Sequence, residues 1–191
     1  MSELGSVRLR TVGRRMTMGI KEGWNGRYLE DFEVGDVYQH PQGRTITEAD
    51  NIWFTLLTQN TNQMHFNTHY AASSTFEKPL VNSALTLAMV VGQTVSDTSQ
   101  NAIANLGWDN IRLPHPVFVG DTLYSESRVL ETRESKSRPY AGIVKIQTRG
   151  LNQDGEVCLT YERSFMVYKR DATQDKGHFP ATDEPWEDVG G

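Results

Sequence analysis

The sequence predicts an α+β domain, one buried helix covered by an antiparallel sheet. Three observations carry this. A nearly all-apolar segment fills residues 83–94. Four β-patterned runs then occupy 103–113, 122–132, 143–151 and 157–168. Helical patterns precede the strands rather than alternating with them, which separates α+β from parallel α/β plans.

Taken in order, residues 1–24 read as a basic arm, with Arg8, Arg10, Arg14, Arg15 and Lys21. The arm lacks the apolar centre of a secretory signal, although arginine-rich, acid-poor composition is also that of a transit segment. The domain proper spans 25–169. A Gly35-Asp36 turn and a short strand fall within 33–46. Thr47 opens a helix, with Asp50 placed three residues on as in a capping box. Ile52, Trp53, Leu56 and Leu57 recur at helical spacing, the pattern of an apolar face. The helix should fade near Asn60.

His69, Tyr70 and Ala71 suggest a brief helical turn, and Lys78 is held extended by Pro79. Asn82 suits an N-cap. Ala84, Leu85, Leu87, Ala88, Met89, Val90 and Val91 follow, apolar almost all round, so this helix is expected to be buried on most sides. Val157, Leu159, Tyr161, Phe165 and Val167 share one face of the last strand. Val119-Gly120-Asp121, Arg138-Pro139 and Asn152-Gln153-Asp154-Gly155 are the turns. Residues 170–191 are acidic and rich in Pro and Gly; they bury too little apolar surface to offset their ordering entropy, and a flexible tail is expected unless Phe179 and Trp186 dock.

Composition narrows the function classes. A chain of 191 residues with 37% hydrophobic and 23% charged residues reads as one globular domain. A net charge of −5 without a basic patch excludes a nucleic-acid surface. No apolar run approaches the roughly 18 residues of a membrane helix. The lone Cys158 makes no internal disulfide, which fits a reducing, cytoplasmic compartment. There is no Cys-x-x-Cys or His-Glu-x-x-His metal motif and no Gly-rich phosphate loop.

The polar stretch Asn60-Thr61-Asn62-Gln63-Met64-His65-Phe66-Asn67, then Tyr70-Ala71, then Phe76-Glu77-Lys78-Pro79-Leu80-Val81-Asn82-Ser83, resembles the MaoC-like, (R)-specific enoyl-CoA hydratase family. Leu113-Pro114-His115-Pro116-Val117-Phe118-Val119-Gly120-Asp121 continues the resemblance, which spans about residues 27–169. It implies a hot-dog fold, a long central helix wrapped by a curved antiparallel sheet. It also implies hydration or dehydration of an acyl-CoA thioester, no cofactor beyond the CoA of the substrate, and a homodimer or dimer of dimers with sites at the interface.

Four departures stand out: Asn60 replaces the usual aspartate, Gln63 a proline, Asn82 a common histidine, and Ser83 a glycine. Asn105-Leu106-Gly107-Trp108 and Ser135-Lys136-Ser137-Arg138-Pro139, with Ala141-Gly142-Ile143-Val144, resemble a branch acting on branched C5 dicarboxylyl-CoA esters of the mesaconyl, methylmalyl or itaconyl kind.

Hydrating an unsaturated thioester needs a base for water, a proton for the α-carbon and donors for the thioester oxygen. A histidine suits the first two tasks, so His65 is the catalytic candidate. Asn60 either orients water or imidazole through its amide or simply ends a helix. The N–H groups of Ser83 and Ala84, at a helix start, suit the oxyanion. Their motif positions make Asn62 and Asn82 substrate-orienting candidates. Either His65 carries both protons, or Glu48, Asp50 or a substrate carboxylate supplies the missing acid.

Arg163 interrupts the inward face of the last strand; it either pairs with an acid or an interface, or, with Arg112 and Arg138 as rivals, meets a carboxylate or CoA phosphate. His69 and His115 read as structural, and His40 and His178 carry no signal. Two other readings stay open: a hot-dog thioesterase using Glu77, and a non-catalytic acyl-CoA-binding module.

Overall fold

The computed structural model describes residues 21, 23–172, 180 and 182–186. Most of the basic arm, most of the acidic tail, Phe179 and His178 therefore lie outside the described residues; Trp186 is exposed.

A 3₁₀ turn at Leu29–Asp31 precedes β1 (Val37–Gln39) and β2 (Arg44–Thr45). Helix α1 (Glu48–Leu57), a 3₁₀ turn (Gln63–His65), α2 (Thr68–Ala71) and α3 (Ser83–Thr94) follow. The chain then runs through β3 (Ala102–Arg112), β4 (Thr122–Glu134), β5 (Ala141–Leu151) and β6 (Val157–Tyr168). The strands pair antiparallel in the order β1-β4-β5-β6-β3, with β2 also on β4. Each of the four long strands begins and ends within two residues of the positions expected.

Two apolar clusters form the core, and the sheet closes on α3 through the first. Leu85 and Val90 pack with Ile46, Val81, Val117, Leu123, Leu159 and Tyr161. Phe32, Val129, Val144, Ile146, Phe165 and Val167 form the second. Gly150 on β5 lets the helix approach: a Cβ there would stand 2.7 Å from Val90 Cγ2. This is the sheet-on-helix plan that the sequence pattern predicts.

Two expectations about faces are corrected. In α1, Asn51 and Thr55 are buried, while Trp53 (76% exposed), Leu56 and Leu57 (81%) turn outward. The inward neighbours of α1 are backbone carbonyls and amides, which reward polar side chains rather than apolar ones. In α3, Leu85, Thr86, Val90 and Thr94 are buried, but Ala84, Ala88 and Gly92 stay exposed. The sheet covers one side of this helix, and the apolar pattern on the other side lacks a cover within the described residues.

His40 is the further surprise. Its ring is buried, with Nδ1 3.0 Å from Asp97 Oδ2 and Nε2 2.9 Å from Ser127 Oγ. Ser127 Oγ in turn lies 2.8 Å from Thr148 Oγ1. Burial pushes the His40 pKa below its ordinary value despite the opposing pull of Asp97. For Asp97, burial acts upward, but bonds from His40 and Arg27 outweigh it and hold the carboxyl low.

Candidate active site

The site begins where α1 ends. Gln59 is left-handed at φ 57°, its N–H donates to Leu56 O, and the Asn60 N–H donates to Thr55 O. This is a Schellman closure, with Asn60 one residue beyond the left-handed position. Asn60 Oδ1 then accepts from the Asn62 N–H at 3.0 Å, and Asn62 Oδ1 accepts from the Met64 N–H at 3.1 Å. The two asparagine carbonyls thus fold the loop that carries His65. Gln63, in place of proline, continues it: its Oε1 accepts from Asn67 Nδ2 at 2.6 Å.

His65 ends the 3₁₀ turn and is buried. Its Nδ1 lies 2.9 Å from Leu80 O. A carbonyl only accepts, so Nδ1 carries the proton and the neutral ring keeps its lone pair on Nε2. The Leu80 segment is pinned in turn: its N–H donates to Met64 O, and the Val81 N–H donates to Val117 O.

Asn51 ties these parts together. Its Nδ2 donates to His65 O at 2.8 Å and to Leu80 O at 3.2 Å, and its Oδ1 accepts the Asn82 N–H at 2.9 Å. Asn82 is buried; its Oδ1 caps α3 by accepting the Ala84 N–H, and its Nδ2 donates to Thr55 Oγ1. The Ala84 donor is therefore spent on the cap. Ser83, at the first helical position, is exposed, and its N–H has no hydrogen-bond acceptor among the described residues.

A cavity of about 260 Å³ adjoins His65, walled by Glu48, Asn51, Ile52, Phe66, Thr68, Lys78, Pro79, Phe118 and Val119. Lys78 Nζ sits 4.0 Å over the Phe118 ring. Glu48 is the carboxylate on its wall. Asp50, one residue beyond the adjacent Ala49, is held far below the usual carboxylate range by Arg44 and by its bonds with Thr47. It is thereby an ion at any working pH and unsuited to donate a proton.

Comparison with known proteins gives the family. Residues 16–189 match a family model described as mesaconyl-CoA hydratase. The chain belongs to the mesaconyl-CoA hydratase family. It is 37% identical over 146 residues to a mesaconyl-CoA hydratase of Cereibacter sphaeroides, covering 76% of this chain and 42% of that protein. A β-methylmalyl-CoA dehydratase of Chloroflexus aurantiacus is 40% identical over 146 residues, covering 76% of this chain and 41% of that one. The chain thus spans less than half the length of these relatives.

Among solved structures, a MaoC domain protein of Chloroflexus aurantiacus superposes with a TM-score of 0.75 at 36% identity, over 87% of this chain and 47% of that chain. A Mycobacterium tuberculosis protein with a double hot-dog fold superposes at TM-score 0.71 and 21% identity, over 84% of this chain and 53% of that chain, which supports the fold alone. The domain is a hot-dog fold of the MaoC-like group.

Within this hydratase-family domain the nominated residues separate. His65 and the capping Asn82 share one hydrogen-bonded unit through Asn51, with Ser83 next in the chain, while Asn82, Ser83 and Ala84 do not wall the cavity. Asn60 and Asn62 support the loop and do not wall the cavity. The three arginines do not meet there either. Arg112 is exposed and donates to Ile111 O; Arg138 is exposed and donates to Met166 Sδ at 3.5 Å. Arg163 is buried; its Nε donates to Asn105 Oδ1 at 2.7 Å, its Nη1 to Ser99 Oγ at 3.2 Å, and its guanidinium lies over Phe165 and Trp108. Glu77 is exposed in a left-handed turn at φ 60° and does not wall the cavity.

Sequence reasoning missed Asn51 and Lys78. The available signal for Asn51 was polar spacing on α1, Asn51 to Thr55, opposite its apolar stripe.

Proposed function

We propose that this chain is a hydro-lyase that adds water to, or removes it from, the α,β-bond of an enoyl-CoA thioester. The observation that carries the reading is the Leu80 carbonyl on His65 Nδ1, which leaves Nε2 as the base of a ring on the cavity wall. Water attacks the β-carbon as Nε2 takes its proton. The double-bond electrons move onto the thioester oxygen, where the Ser83 N–H and the α3 dipole stabilise the charge. The imidazolium then returns its proton to the α-carbon, so hydroxyl and hydrogen both derive from water. With an amide at Asn60, His65 carries both transfers.

The relatives' names indicate C5 dicarboxylyl esters, and such a substrate needs a cation for its free carboxylate. Lys78 fills that role in this proposal, since it walls the cavity beside His65 while Arg112, Arg138 and Arg163 do not. A second hot-dog unit, a second copy of this chain, completes the site. Support comes from the half-length match to the relatives and from the exposed Trp53, Leu57, Leu106, Trp108 and Ile111.

The test is incubation with mesaconyl-, itaconyl- and crotonyl-CoA, followed by mass spectrometry. Gain of one water, lost in His65→Ala, is expected; release of free CoA would move the assignment to a thioesterase, and unreacted bound ester to a binding module. Lys78→Met is expected to raise KM for the dicarboxylyl ester about tenfold, the worth of one charge-assisted contact, while leaving crotonyl-CoA nearly unchanged. Equal loss on both esters would sink the role of Lys78. Glu48→Gln should retain turnover if His65 moves both protons. A strict monomer on gel filtration would count against the completed site.

A further inference from the structure

We propose that Asn51 is the positioning residue of this site, setting the tautomer of His65 and locking it to the start of α3. The inference rests on His65 as base. Asn51 is 1% exposed, an amide that with Thr55 forms the buried face of α1. A buried amide without partners is costly, so its retention points to what it holds. Its orientation is fixed by its neighbours: two carbonyls require the Nδ2 donors, and the Asn82 N–H requires Oδ1.

Leu80 O is the pivot. It accepts from both Asn51 Nδ2 and His65 Nδ1. The bond from Asn51 aims this carbonyl at the ring, and the aimed carbonyl fixes the proton on Nδ1. The same amide grips the His65 backbone through its carbonyl and the N-cap of α3 through the Asn82 N–H. Base and oxyanion donor are thereby referenced to one side chain rather than to two separate loops. Loss of Asn51 leaves the Leu80 carbonyl held only through its own peptide plane, by the Val81 N–H bond to Val117 O, and the less firmly aimed carbonyl lets the imidazole sample the tautomer with Nε2 protonated, which is not a base toward the cavity.

The test uses ¹⁵N-histidine protein without substrate, reading the ring nitrogens of His65 by NMR, together with hydration kinetics. Wild type is expected to show one neutral tautomer, protonated at Nδ1. Asn51→Ala should show a mixture, with kcat reduced about 100-fold and KM little changed, the pattern of a misplaced catalytic group. Thr55→Val removes the Asn82 Nδ2 partner but leaves the Asn51 bonds, and should alter neither the tautomer nor kcat substantially. If Asn51→Ala does not fold, Asn51→Ser is read the same way. A pure Nδ1–H tautomer in a folded Asn51 variant overturns the proposal, whatever happens to the rate. If wild type converts none of the esters, the hydratase reading fails while the tautomer measurement still decides the role of Asn51.

Discussion

Ser83 illustrates how a residue can matter through its backbone. In the proposed mechanism only its N–H acts, so Ser83→Ala should leave the hydration rate close to wild type. Ser83→Pro removes the donor, and the local geometry is suited to it. Proline is at home at the first helical position, where φ is already fixed near the helical value. The preceding Asn82 sits at φ −58°, ψ 125°, the extended conformation that proline requires before it. The proline variant should therefore fold and lose about 10²–10³ in kcat, the worth of an oxyanion donor, with a near-native melting temperature confirming the fold. Full activity in Ser83→Pro would remove this N–H from the mechanism. His65 could be named from the sequence because it stands in a resemblance of several motifs in order, and the structure sets it on the cavity wall. Asn51 and Lys78 were not legible, since an amide in a helix and a lysine before a proline both read as surface. Arg163 was legible as inward-facing, but its partners Asn105 and Ser99 depend on pairing of β3 with β6 and on where α3 ends, contacts that span 58 and 64 residues.

At the scale of elements, strand positions were legible because alternation and turn residues are local signals. Which face of a helix turns inward was not, because that depends on what the rest of the chain offers. α1 meets carbonyls and amides and so buries Asn51 and Thr55, against its apolar pattern. The approach of α3 to β5 was likewise invisible, although a glycine, Gly150, marks the place. A methyl group there would overlap Val90 Cγ2 at 2.7 Å. Gly150→Ala should destabilise by about 1–3 kcal/mol through overpacking, read as a lower urea midpoint with an unchanged slope. Val90→Ala in the same chain should recover part of that loss, since the two changes share one contact. Additive losses would place the strain elsewhere.

For the whole molecule, the buried polar seam under the sheet ties stability to pH. His40 bridges Asp97, beyond the end of α3, to Ser127 on β4, and Arg27 meets the same carboxylate at 3.0 Å. Glu126 on β4 and Arg27 are the other charges acting on the ring, with opposite signs. In the neutral state, His40 Nδ1–H donates to Asp97 and Nε2 accepts from Ser127. Protonation removes that acceptor and charges a buried ring, which is why its folded pKa lies below the ordinary value of 6.5. Between that depressed value and 6.5 the unfolded chain binds more protons than the native one, so stability rises with pH across this window. The contribution of His40 is fully present above 6.5 and is lost as pH falls through the folded pKa. Asp97, also lowered, contributes with the same sign but in a window below its ordinary 3.8, so a measurement from pH 5 to 7 separates His40 from Asp97. Urea unfolding should show wild type more stable at pH 7 than at pH 5. His40→Asn, which keeps a donor toward Asp97 but does not titrate, should flatten that dependence whatever its absolute stability. An unchanged pH slope in the variant would assign the dependence to other titrating groups and remove His40 from it.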